Sequence, residues 1–72
     1  MTNFHFFTLL HGTDPSAMQS HHAVLKFSNV NDAHRFALLA ARTAVKNGAT
    51  KADIDVVKKV GQPPVLQIRT AR

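Results

Sequence analysis

The chain contains no cysteine, tryptophan, tyrosine or glutamate. Without cysteine there is no disulfide, no thiolate zinc site and no thiol nucleophile. The same absence fits a reducing compartment, so the cytoplasm is the expected location. Without glutamate the only carboxylate side chains are Asp14, Asp32, Asp53 and Asp55. Glycine is scarce: Gly12, Gly48 and Gly61 stand alone, and no glycine-rich phosphate loop can be assembled from them. No apolar run approaches the roughly 18 residues that a membrane span requires, so no membrane partner is expected. The opening MTNFHFFTLLHG lacks a basic start and a small-residue cleavage site, and it reads as a strand rather than a signal peptide.

What is present describes one small globular domain, residues 1–72. Hydrophobic residues make up 44% of the chain, which argues against disorder. Nine Lys and Arg against four Asp give a net charge of +5. That balance suits an acidic partner, either an acidic protein face or nucleic acid. A chain this short without a disulfide or a structural metal gains from self-association or docking, so a homodimer is expected.

Residues 3–11 (NFHFFTLLH) are dense in Phe and Leu and free of Gly and Pro, the composition of a strand. Alternation places Phe4, Phe6, Thr8 and Leu10 on one face and His5, Phe7, Leu9 and His11 on the other. A connection over 12–20 follows, with Asp14-Pro15 as a turn signal and Asp14 able to cap a short turn starting at Pro15. Residues 21–28 form a second strand, with Ala23, Leu25 and Phe27 opposite His22, Val24 and Lys26. The two strands are expected to pair as an antiparallel hairpin.

The strongest local signal is an amphipathic helix over 31–46. Asn29 is its candidate cap, with Asp32 three residues on, and Asn47-Gly48 is its stop. At about 100° per residue, Phe36, Ala40, Ala33, Ala44, Ala37 and Ala41 share one arc, flanked by Leu38 and Val45. An alanine-rich arc lets a helix approach a sheet closely. In the final third, ADIDVVKKV is rich in β-branched residues and GQPP separates it from VLQIRTA, which predicts a second hairpin with a four-residue loop. A short helix capped by Thr50 is the alternative; the rotamer cost of Ile54, Val56, Val57 and Val60 in a helix favours the strand. The fold class is therefore α+β: a four-stranded, mostly antiparallel sheet in the order β-β-α-β-β with one helix on one face, or β-β-α-α-β if the alternative holds.

No catalytic set emerges. The serines Ser16, Ser20 and Ser28 lie in turn-like contexts without an elbow motif, the Asp residues fall mostly at turns and caps, and so small a chain offers little room for a large pocket. The protein is read as non-enzymatic and without a cofactor. Five His are present; His11 would approach His21 or His22 if the first hairpin closed tightly, but the spacing matches no established metal site, and no metal is assigned.

Two surfaces carry the functional reading. On the helix, Arg35, Arg42 and Lys46 recur at i, i+7 and i+11 and lie within about 40° of one another, with Leu39 beside them. This is a candidate contact stripe for carboxylates or phosphates. On the sheet, one helix covers one face, which leaves His5, Phe7, Leu9, His22, Val24 and Lys26 uncovered. An exposed apolar patch of that kind marks an interface, either with a second copy or with bases stacked on Phe7 and the imidazoles. The expected function is a protein-interaction module, a small homodimeric regulator or inhibitor. Nucleic-acid binding is the alternative, although no RNP-type aromatic motif, GXXG loop or helix-turn-helix is present.

Overall fold

A computed structural model describes residues 1–14 and 16–72, and five elements follow in chain order: β1 (Thr2–His11), β2 (Gln19–Phe27), α1 (Val30–Lys46), β3 (Lys51–Val57) and β4 (Leu66–Ala71). The order is β-β-α-β-β. The β-branched segment after Thr50 is a strand, so the two-helix alternative is not realised. The short turn anticipated from Pro15 begins outside the described residues; Asp14 itself accepts the Ser16 amide at its carboxylate and the Ala17 amide at its carbonyl.

The four strands form one sheet in the spatial order β2-β1-β3-β4, with every pairing antiparallel. The first hairpin closes in register from Thr2 opposite Phe27 to Leu10 opposite Gln19. Because β1 pairs antiparallel with both β2 and β3, those two strands run in the same direction with β1 between them. The α1 crossover carries the chain over β1. The second hairpin is looser than its sequence suggests. Its connection is Lys58–Val65, eight residues rather than GQPP alone, because Gly61 takes a positive φ of 94° and Pro63 and Pro64 have no amide to give to a ladder.

The helix is bounded as its caps dictate. The Asn29 side-chain oxygen accepts the Asp32 amide at 2.9 Å. At the other end Gly48, with φ 117°, donates to the Val45 carbonyl, and Ala49 donates to Ala44. That pair of bonds is the Schellman arrangement, which only a residue tolerant of positive φ completes without strain.

The core lies between α1 and one sheet face. Ala33, Ala37 and Ala41 are wholly buried against Phe4, Phe6, Ala52, Ile54, Val56 and Ile68. Without long side chains on that face, the helix sits close to the strands. It does not sit centrally, because it lies chiefly across β3 and β4. Four strands about 4.8 Å apart make a sheet roughly twice as wide as the ~10 Å diameter of a helix, so one helix shields about two strands. This displacement explains a departure from the helical-wheel reading: Phe36 is 41% exposed rather than buried. Its ring reaches sideways towards the uncovered strands, edge-on to Phe6 at 5.3 Å and tilted against Phe27 at 5.6 Å.

Candidate functional site

The outward face of α1 is set by the burial of the opposite one. With Ala33, Ala37 and Ala41 against the sheet, the helical repeat turns Arg35, Leu39, Arg42 and Lys46 to solvent, and all four are exposed. Leu39 is 66% exposed. None of the three cations has a salt-bridge partner among the described residues. Arg35 and Lys46 are eleven residues apart, so the stripe spans about 16 Å of helix at about 1.5 Å per residue.

The face of the sheet away from α1 has two halves of different chemistry. The β1–β2 half carries the anticipated set. His5 and Leu9 are half-buried, His22 and Lys26 are exposed, Phe7 is 38% exposed and Val24 is 47% exposed. The register puts Phe7 opposite His22 and His5 opposite Val24. Phe7 and His22 stack at 4.3 Å between centroids with their planes 8° apart. His5 lies diagonal to His22, with His5 Nδ1 3.2 Å from His22 Nε2, so one ring N–H is shared between the two imidazoles. The inner faces of Phe7 and His22 are thus spent on each other, which leaves fewer free ring faces for a stacked base.

The β3–β4 half is ionic, and its organisation was not anticipated. Asp53 and Asp55 alternate along β3 on the face away from the core, with Arg69 of β4 opposite Asp53. Arg69 places Nη2 2.8 Å from Asp55 Oδ1 and Nε 3.7 Å from Asp53 Oδ1. Lys51 Nζ is 3.7 Å from Asp53 Oδ2. Neither Oδ1 atom has an aligned hydrogen-bond donor, so the cluster is held by charge more than by directional bonding. Arg69 is thereby a neutralising partner inside the sheet face. The sequence signal was the Asp-x-Asp alternation within an otherwise β-branched strand.

His11 does not meet His21 or His22. The β1–β2 register sets His21 against Thr8, and the Nε2 of His11 turns instead to Asp53 Oδ2 at 3.2 Å. No group of three or more metal-ligating side chains occurs among the described residues. The His11–Asp53 pair has the composition of a catalytic dyad, but the adjacent Thr50 hydroxyl donates to the carbonyls of His11 and Gly12 and serves to hold the two strand ends together. Beside it lies an open depression of about 400 Å³, lined by Leu10, His11, Gly12, Ala17 and Ala44. Its size exceeds what so short a chain suggests, and among the described residues His11 is the only ionisable side chain lining it. No described helix is long and apolar enough to cross a membrane.

Comparison with protein-family models, with curated proteins and with solved structures finds no significant match.

Proposed function

We propose that this chain is a non-enzymatic interaction module that works as a homodimer and binds a second protein, one with an acidic surface, through the outward face of α1. A small regulator or inhibitor of a larger assembly is the role such a module fills. The observation that carries the reading is the grouping of unpaired cations around an apolar side chain. Arg69 and Lys51 are engaged by the two sheet aspartates. Arg35, Arg42 and Lys46 make no salt bridge among the described residues, and among the cations in that state, which include Lys26, Lys58, Lys59 and Arg72, these three share one helix face with the exposed Leu39. Guanidinium groups without a salt bridge around an apolar anchor match a carboxylate-bearing protein face, because the fork of Arg donates two parallel hydrogen bonds to a carboxylate and the leucine supplies salt-independent area.

The test is the double charge reversal Arg35→Glu with Arg42→Glu, together with Leu39→Ala. Affinity capture from source cells, with and without nuclease, identifies the protein retained by the wild-type chain. Binding of that purified partner should be lost in the double reversal, weakened in Leu39→Ala, and insensitive to nuclease. Phosphate neutralisation by three cations would give a slope of about −2.7 in log affinity against log salt. A slope of that size together with indifference to Leu39→Ala would replace the protein partner by nucleic acid.

A further inference from the structure

We infer that the partner subunit in the homodimer is bound edge to edge through β2, paired antiparallel with its own copy about Ala23 to make one continuous eight-stranded sheet. This rests on the homodimer reading above and assigns its interface. Strand β2 is an outer strand of nine residues with an unbroken register against β1, and its only Lys or Arg is Lys26. It contains no proline, no positive-φ residue and no bulge. Those are the devices by which a natural edge strand avoids pairing with another chain. The opposite edge differs: β4 has six residues, carries Arg69 and follows Pro63 and Pro64.

Exposed and half-buried apolar side chains flank this edge on both sides of the sheet. On the helix side α1 lies over β3 and β4, so Ala23 is exposed and Leu25 and Phe27 are only half-buried, beside the 41% exposed Phe36. On the other side lie Val24 and Phe7.

Charge selects a second copy over an acidic partner at this edge. The chain carries +5 overall, yet β2 presents a single cation to a partner strand. Pairing about Ala23 sets His22 opposite Val24 of the partner strand, His21 opposite Leu25, and Ser20 opposite Lys26. No imidazole faces an imidazole. The two copies of Lys26 fall six residues apart along the strands, about 20 Å, beyond the ~8–10 Å over which salt leaves charges coupled. Two strongly basic chains therefore meet at β2 without setting Lys opposite Lys, and Gln19, His21 and His22 of each copy lie opposite Phe27, Leu25 and Val24 of the other.

Sedimentation of the full chain and of Ala23→Lys and Ala23→Asp tests the assignment. Each substitution sets like charges directly across the two-fold axis and should weaken the dimer about tenfold. An equimolar mixture of the two variants should restore it as a mixed dimer, seen by native mass spectrometry. Amide exchange on the wild-type chain needs no substitution, and outward-facing amides of β2 should gain protection as concentration rises through the dimer range. A wild-type monomer at high concentration overturns this inference and leaves partner binding by α1 to be judged separately. A dimer that survives Ala23→Lys but is lost in Leu9→Lys overturns it too, and moves the dimer contact to the open sheet face.

Discussion

Replacing Phe36 by alanine measures how the core is closed on the side that the helix does not reach. The ring is 41% exposed, and it meets Phe6 and Phe27 at 5.3 and 5.6 Å. A phenylalanine buries ~150–250 Å² when fully enclosed, so somewhat over half of that, about 110 Å², is removed from water here. At about 25 cal/mol per Å² the loss is near 2–3 kcal/mol, before the smaller contribution of the edge-on ring pairs. A chain of 72 residues at ~0.05–0.15 kcal/mol per residue has only about 4–11 kcal/mol in total. The variant should therefore melt about 8–24 °C below the wild type, at ~4–8 °C per kcal/mol for a domain of this size. Urea and thermal unfolding followed by circular dichroism, at one fixed protein concentration, measure both quantities. Leu39→Ala is the internal control: at 66% exposure on the opposite face it should change stability by less than about 0.5 kcal/mol. Equal effects from the two substitutions would refute the reasoning, because Phe36 would then be a surface residue and not the lateral wall of the core.

Asn29→Ala should cost about 1 kcal/mol by removing the acceptor for the Asp32 amide, read as a lower urea midpoint with unchanged slope. Ala37→Leu should cost about 1–3 kcal/mol, because a wholly buried alanine at the helix–sheet contact has no room for three more carbons; loss of near-ultraviolet ellipticity with helix content retained would accompany it. Asp14 carries its own pH signature. The Ser16 amide hydrogen bond holds its carboxyl below the ordinary 3.8. A depressed folded-state pKa means that the turn gains stability from ionised Asp14 above the unfolded value and loses it as pH falls through the folded one. The Ser16 amide proton shift should follow that protonation on acid titration, and Asp14→Ala should abolish the response.

Local signals made the helix and its ends legible. Asn29 and Gly48 act through bonds within a few residues of themselves, so position along the chain is enough to read them. The faces of β1 and β2 were legible for the same reason, since alternation alone assigns Phe4 and Phe6 to one side and His5 and Phe7 to the other. What could not be read depended on strand order and register. His11 and Asp53 are 42 positions apart, and nothing in either segment says that β3 rather than a chain end lies beside β1. The same holds for Arg69, whose carboxylate partners follow only from the β3–β4 register that sets it against Asp53. Phe36 failed for a different reason. A helical wheel assumes a sheet centred beneath the helix, and α1 is displaced over β3 and β4.

The packing of α1 bears on both proposed contacts. Burial of its alanine face turns the stripe outward, and its displacement over β3 and β4 leaves the β2 edge uncovered on its own side of the sheet. They should nevertheless respond differently to salt. The stripe presents Arg35, Arg42 and Lys46 without a salt bridge among the described residues, so a contact made there should weaken as ionic strength rises. The β2 edge carries one lysine in nine residues, so a contact made there draws on backbone hydrogen bonds and the side chains of Val24, Leu25 and Phe27. Its salt response should be flat, or strengthen slightly as the mutual repulsion of two basic chains is screened. On the proposed reading, rising salt should release the partner while the dimer persists, so that the two equilibria separate along a single salt titration.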